Sequence, residues 1–375
     1  MMKTQVFDLE TQYEAGMAAA SRELQQGGLV IFPTETVYGI GADAENADAV
    51  AKIYEVKGRP SNNPLIAHIW DFAQVERIAR DISPLAWKLM RAFWPGPFTI
   101  VLQSSGLLPP VVSGGLRTIA VRMPESEYAR NLLRQSGKIV VAPSANLSGK
   151  PSTTTAAQCL DDFAGKVPVI LDGGPCRVGL ESTVCQVTGC VPVILRPGVV
   201  TAEMIRAVAG SVEVSHAVLH GVAPGENAPS PGMMYKHYAP KAKVCIVQGG
   251  GMAIANAVKS MYDKEEEFCR IPCIFCTEER IGLYDGRRVR SLGKTPEEVA
   301  SSLFGALREA DKEGIDAIYF EGMEHTGIGL AIANRMVRAA GFDVVDAGKE
   351  EEVEKHIAGM HRKYMPKPDG GSDAG

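Results

Sequence analysis

Proline and glycine crowd into one short stretch of this chain, and that stretch divides it. Gly221-Val222-Ala223-Pro224-Gly225 and Ala228-Pro229-Ser230-Pro231-Gly232 cannot hold regular structure, because Pro lacks the amide hydrogen and Gly costs the most backbone entropy to order. On both sides, short β-branched runs alternate with amphipathic stretches, the mark of layered α/β domains. The chain therefore reads as four parts. Residues 1–210 form a first α/β domain, 211–243 a linker, 244–350 a smaller α/β domain, and 351–375 a tail that is partly disordered. A length of 375 residues suits two domains, and 45% apolar residues suffice for a core in each.

In the first part, strands are expected at Leu29–Phe32, Leu65–Ile69, Phe98–Leu102, Thr118–Arg122, Ile139–Ala142, Val167–Leu171, Thr183–Val187 and Val191–Leu195. Helices are expected at about 10–25, 46–56, 83–93, 126–136, 153–163 and 201–209. The last two strands follow one another across Thr188-Gly189-Cys190, as in a hairpin, so the sheet should be mixed. After the linker, strands are expected at Val244–Gln248, Cys273–Cys276, Ala317–Phe320 and Asp343–Val345. The helices between them run through Tyr262, over Pro296–Lys312 and over Gly329–Ala340.

Charge and composition exclude some functions. Residues 1–210 hold 19 basic and 19 acidic side chains, and the remainder holds 20 and 25. Neither half has the basic excess of a protein that grips a nucleic-acid backbone by itself, so no strong direct nucleic-acid binding is expected. No apolar run approaches a membrane span, and Met1–Glu10 lacks a signal pattern. Eight cysteines in a chain of this kind read as reduced thiols, hence a cytoplasmic protein without a membrane role.

Four polar clusters stand at strand or helix ends, where α/β sheets bind ligands. Pro33-Thr34-Glu35-Thr36-Val37-Tyr38-Gly39 puts hydroxyls after a strand. Lys57-Gly58-Arg59-Pro60 flanks a glycine with two cations, which suits an anion but equally suits a helix C-terminus. In Thr118–Arg122, even spacing puts Thr118 and Arg122 on one strand face, and a buried Arg there needs either a carboxylate ligand or a salt bridge. Pro143-Ser144-Ala145-Asn146-Leu147-Ser148-Gly149 opens toward a helix start that can bind phosphate, with Ser152 or Thr153 as simple caps in the alternative. Two further patterns mislead. Cys269, Cys273 and Cys276 have the spacing of an iron–sulfur motif, but the last two sit in what reads as a buried strand. Gly249-Gly250-Gly251 follows a strand, but Ile254 occupies the third glycine position of a dinucleotide fingerprint.

Together these clusters resemble one family, the YrdC-type threonylcarbamoyl-AMP synthases in their long two-domain form. Besides the clusters above, the resemblance rests on Asn63-Pro64-Leu65, Pro95-Gly96-Pro97, Val121-Arg122-Met123-Pro124, Glu181-Ser182-Thr183 and Leu195-Arg196-Pro197-Gly198. Ser230-Pro231-Gly232-Met233-Met234-Tyr235-Lys236-His237-Tyr238-Ala239-Pro240 is similar to the long form's linker signature. The implied fold is a YrdC-like twisted mixed sheet with flanking helices, joined by a linker to a Rossmann-like α/β domain. The implied enzyme is a nucleotidyltransferase that turns L-threonine, bicarbonate and ATP into L-threonylcarbamoyl-AMP, pyrophosphate and water. This is the first step of tRNA threonylcarbamoyladenosine formation, with hand-over to a Kae1/TsaD-type transferase.

The same resemblance implies residue roles. Lys57 and Arg59 would be catalytic. Thr36, His68, Arg122, Ala142 and Ser182 would hold L-threonine. Lys57, Arg59, Asn63, Thr118, Ser144, Ser152, Arg196 and Tyr235 would hold ATP. Magnesium would arrive with the nucleotide, without a protein-built metal site. Ser230–Pro240 would act as a lid, since Met233, Met234, Tyr235 and Tyr238 need something to pack on; the alternative is that they only hold the two domains together. A YrdC-like domain that binds a nucleotide or RNA without catalysis is the alternative; a carbamoyl-phosphate-using carbamoyltransferase would also need zinc-finger cysteines, which this sequence lacks.

Overall fold

The computed structural model describes residues 3–220 and 238–364. The first domain begins β1 (Gln5–Asp8), α1 (Tyr13–Gln25), β2 (Val30–Phe32), β3 (Gly39–Asp43), α2 (Ala47–Lys57), β4 (Ile66–His68), α3 (Ala73–Ile78), β5 (Ala79–Arg80), α4 (Pro84–Phe93) and β6 (Phe98–Ser104). It continues α5 (Pro110–Ser113), β7 (Thr118–Arg122), α6 (Glu127–Ser136), β8 (Val140–Val141), α7 (Ala156–Phe163), β9 (Val169–Asp172), β10 (Thr183–Gln186), β11 (Val193–Arg196), α8 (Ala202–Ala209), β12 (Glu213–Val214) and α9 (Ala217–His220). The second holds β13 (Lys243–Gln248), α10 (Gly251–Glu267), β14 (Pro272–Cys276), a 3-10 segment (Glu278–Tyr284), β15 (Val289–Ser291), α11 (Pro296–Lys312), β16 (Ala317–Glu321), α12 (Gly327–Ala339), β17 (Val344–Asp346) and α13 (Glu350–Tyr364).

The first twelve strands make one sheet in the order β1-β9-β2-β3-β8-β4-β7-β6-β10-β11-β12, with β5 paired to β6. It is mixed, as the hairpin suggested: β4 and β7 run parallel, β6 and β7 antiparallel, and β10 turns back antiparallel on β11. The second sheet, β15-β14-β16-β13-β17, is parallel throughout. Apolar clusters line both faces of each sheet.

Local chemistry sets the element ends that matter for the cleft. Asn46 caps α2 by accepting from the Ala49 amide, and Gly58 ends it in the left-handed region at φ 60°. That turn sends Lys57 and Arg59 in different directions. Helix α7 begins at Ala156 under a Thr155 cap, three residues later than expected. Ser152 and Thr153 are therefore not caps; Thr153 donates to the Ala145 carbonyl, which braces the loop before it. Helix α11 starts with a capping box between Thr295 and Glu298.

Two departures from the sequence reading stand out. Strand β3 was not expected, because Gly39 and Gly41 dilute its β propensity. A Cβ on Gly41 would meet the Phe32 ring and a Val140 methyl at 2.7 Å, so the strand is glycine by necessity. Helix α13 occupies Glu350–Tyr364, where the tail was placed from 351. The three cysteines follow the sequence reading. Cys273 and Cys276 are buried in β14 while Cys269 is exposed, and among the described residues they form no metal-holding group.

The two domains share a core. Val37 and Leu180 of the first are buried in the same cluster as Leu303, Phe304 and Leu307 of α11. No described helix is long and apolar enough to cross a membrane.

Candidate active site

A cleft of about 600 Å³ opens on the first sheet, lined by Thr34, Thr36, Tyr38, Arg59, His68, Arg122, Ala142, Ser144, Glu181, Ser182, Arg196 and Tyr238, with apolar and backbone surface between them. Of the residues expected at a site, Thr36, His68, Arg122, Ala142, Ser182, Arg59, Ser144 and Arg196 lie on this wall. Lys57, Asn63, Thr118 and Ser152 do not. Tyr235 lies outside the described residues, as does the expected lid except for Tyr238–Pro240.

Arg122 organises one part of the wall. Strand β7 delivers it buried, at 4% exposure, and its neighbours take three of its five N–H groups. Nη2 donates to Glu35 Oε1 at 2.5 Å, Nη1 to Thr36 Oγ1 at 2.9 Å and Nε to the Gly96 carbonyl at 3.2 Å. Both readings of a buried Arg thus coexist: a salt bridge holds it, and two of its five N–H groups remain for a ligand. Burial opposes ionisation of Glu35, yet the Arg122 charge and hydrogen bond outweigh it and hold the carboxyl below its usual range. Thr34 completes the network, with its hydroxyl 2.8 Å from Thr36 Oγ1.

His68 stands beside this network. Burial, and then the Arg122 charge, push its pKa down to about 3, so the ring is neutral at physiological pH. Its Nδ1 lies 3.0 Å from the Ile66 carbonyl, which assigns the proton to Nδ1 and leaves Nε2 an acceptor.

The cations on either side of Gly58 separate. Arg59 faces the cleft, steadied by the Pro64 carbonyl at 3.1 Å. Burial lowers its pKa to about 10, which still leaves it charged at neutral pH. Lys57 stands behind the wall and donates to the Ser144 carbonyl at 2.6 Å and to the Asn146 carbonyl. Burial, and then the nearby Arg59 charge, hold it well below the usual lysine range. Lys57 therefore shapes the loop that presents Ser144. Asn63 is buried with an unpaired side-chain oxygen, and Thr118 sits at the outer end of β7.

The last group surrounds Ser182. Arg196, from the end of β11, donates to the Ser182 carbonyl at 3.1 and 3.0 Å and to its hydroxyl at 3.2 Å. Thr99 Oγ1 lies 2.8 Å from the same hydroxyl. Beside it, Glu181 accepts from Ser152 Oγ at 2.5 Å. Burial opposes the charge on Glu181, but Arg335, Arg196 and Ser152 hold its pKa below the usual range. Burial lowers the Arg196 pKa, with Tyr238 and Glu181 opposing. Tyr238 closes this side. It is 4% exposed, its ring lies 5.1 Å from that of Phe304, and the next residue, Ala239, donates to the Gly149 carbonyl at 2.8 Å.

Sequence reasoning assigned no role to Thr34, Glu35, Tyr38 or Glu181, although the motifs contain all four. Tyr38 donates to the Gly174 carbonyl at 2.7 Å and so ties the motif to the loop after the neighbouring strand β9. It missed Arg335 entirely, because that residue arrives from another domain.

Fold and cleft define a class: a YrdC-like domain with a cationic, hydroxyl-rich cleft, packed against a second, parallel-sheet domain. Residues 22–198 match a family described as telomere recombination, and residues 200–341 match the threonylcarbamoyl-AMP synthase C-terminal domain. The Pyrococcus abyssi threonylcarbamoyl-AMP synthase is 45% identical over 86% of this chain and 93% of its own. That of Bacillus subtilis is 44% identical over 88% and 94%. The crystal structure of P. abyssi Sua5 complexed with L-threonine superposes with a TM-score of 0.85 at 42% identity, covering 92% of this chain and 99% of that one. The chain belongs to the threonylcarbamoyl-AMP synthase family.

Proposed function

We propose that the cleft joins L-threonine, bicarbonate and ATP into L-threonylcarbamoyl-AMP, with pyrophosphate and water released. The observation that carries this is the arrangement around Ser182: one wall brings together the buried Arg122 network, suited to a carboxylate, and the cations Arg59 and Arg196, suited to phosphate. Threonine sits with its carboxylate on Arg122 and its polar atoms on Thr36 and Ser182, and the backbone at Ala142 bounds the pocket. The relative solved with L-threonine supports this choice of amino acid. The neutral His68 offers an acceptor for a threonine N–H or O–H. ATP lies toward Arg59, Ser144 and Arg196, and Ser182, bonded to Arg196, marks where the two substrates meet.

The chemistry follows from position and charge. The threonine amine adds to bicarbonate carbon with loss of water, giving a carbamate. A carbamate oxygen attacks the α-phosphorus of ATP, and pyrophosphate leaves. Such in-line transfer needs aligned reactants and neutralised phosphate charge, not a protein nucleophile. Arg59 and Arg196 supply fixed positive charge for the departing pyrophosphate. Lys57 and Ser152 act one layer back, on the loop and on Glu181. Asn63 and Thr118 lie off the wall.

Magnesium fits this cleft as a companion of the nucleotide. Glu181 at the wall and Glu35 behind Arg122 are engaged by Arg335 and Arg122. The ion would neutralise phosphate charge while bound to the nucleotide's own oxygens. The product is a labile mixed anhydride, consistent with prompt hand-over to a Kae1/TsaD-type transferase in the cytoplasm.

Pyrophosphate release tests the function. It should require L-threonine, bicarbonate and ATP together, and release that persists without threonine would refute the assignment.

A further inference from the structure

We infer that Arg335, on α12 of the second domain, is a positioning residue for the nucleotide side of the cleft, so that the second domain completes the site. The inference rests on the assignment of Arg196 and its surroundings to ATP.

Arg335 is fully buried. Its Nε donates to Glu181 Oε2 at 2.9 Å, Nη2 to the Glu181 carbonyl at 3.2 Å and Nη1 to the Pro197 carbonyl at 2.7 Å. One planar guanidinium therefore spans the two backbone segments that carry Ser182 and Arg196. Those neighbours bond each other across the same gap. Through Glu181 the arginine also orients the Ser152 hydroxyl. Its guanidinium carbon lies 5.9 Å from the Tyr238 ring centre, which lines the cleft. Burying a charge at a domain seam is costly unless its donors find acceptors, and here four of the five N–H groups do.

A plain domain glue would need none of this. Arg308 of α11 does that work nearby, donating to the Pro151 carbonyl and to Asp162, away from the cleft wall. It serves as the control.

The experiment uses the full chain with Arg335→Met, Arg335→Lys, Arg335→Met/Glu181→Gln and Arg308→Met. Readouts are KM for ATP and for L-threonine, kcat, calorimetric L-threonine binding and melting temperature. Arg335→Met should lower kcat/KM for ATP at least tenfold while threonine affinity changes less than threefold. Arg335→Lys should recover only part, since a point charge cannot span both carbonyls. The double variant removes the unpaired carboxylate. If Arg335→Met does not fold, the double variant should fold and show the same ATP-selective loss. Arg308→Met should lower melting temperature without that selectivity. ATP and threonine constants falling together in every Arg335 variant, or not changing, would overturn the inference. Arg59→Ala, run in parallel, separates the two claims. If it spares ATP, the nucleotide assignment fails; if it impairs ATP while the Arg335 variants do not, only the positioning role fails.

Discussion

Glu35 Oε1 lies 2.5 Å from Arg122 Nη2, and each side chain is only 5% exposed. The pair is a structural salt bridge whose Arg122 also lines the cleft, so its removal has two separable consequences. Deleting one partner of a buried pair typically costs about 3–5 kcal/mol because the other charge is stranded. Arg122→Met should therefore melt well below the parent and lose threonine affinity at least tenfold. Arg122→Met/Glu35→Gln should regain most of the melting temperature but not the threonine affinity. Recovery of both would assign the pair a purely structural role.

Arg59→Ala should act on ATP instead. Losing one charge-assisted contact at a transition state costs about 2–4 kcal/mol, or roughly 30- to 1000-fold in rate. Steady-state kinetics should show that loss in kcat/KM for ATP, with calorimetric threonine binding within a factor of two of the parent. Near-parental turnover would remove Arg59 from the phosphate site.

Much of this was legible before any coordinates, and the rest was hidden for physical reasons. The β10–β11 hairpin, helix α11 and the Arg122 strand follow from alternation, capping residues and β-branched runs, which are local signals. Strand β3 was hidden because its glycines answer a packing demand from Phe32 and Val140, residues distant in sequence. The separation of Lys57 from Arg59 depends on the left-handed Gly58, which spacing alone does not reveal. Arg335 was invisible for a stronger reason. Its partner Glu181 is 154 residues away, and a buried arginine in an apolar helix reads as an exposed one until the second domain is docked.

Acid should destabilise the protein in two windows. His68 has a folded pKa of about 3 against 6.5 for the free side chain. Between those values the unfolded chain binds the extra proton, so stability falls as pH drops from about 7 toward 3, by on the order of 4 kcal/mol at the limit. Glu35 and Glu181 have depressed folded values. Their contribution is complete above the unfolded carboxylate range near pH 4.5 and is lost as pH falls through the folded values. Denaturant melts of parent and His68→Gln should therefore diverge in slope between pH 6.5 and 4.5. Parallel curves there would mean that His68 is not held neutral.

Chelation should divide the substrates. With excess chelator, pyrophosphate release should stop while L-threonine binding persists, because the ion travels with the nucleotide. Loss of threonine binding on chelation would place a metal among the protein's own ligands.

The central claim is that one cleft builds a carbamate from threonine and bicarbonate and transfers it to the α-phosphorus of ATP. Mass spectrometry of the nucleotide product formed from carbon-13 bicarbonate, with pyrophosphate measured in the same reaction, addresses it directly. The expected result is threonylcarbamoyl-AMP one mass unit heavier than from unlabelled bicarbonate, equimolar with pyrophosphate. Threonylcarbamoyl-AMP without the extra mass unit, or ADP with phosphate as the products, would contradict the account.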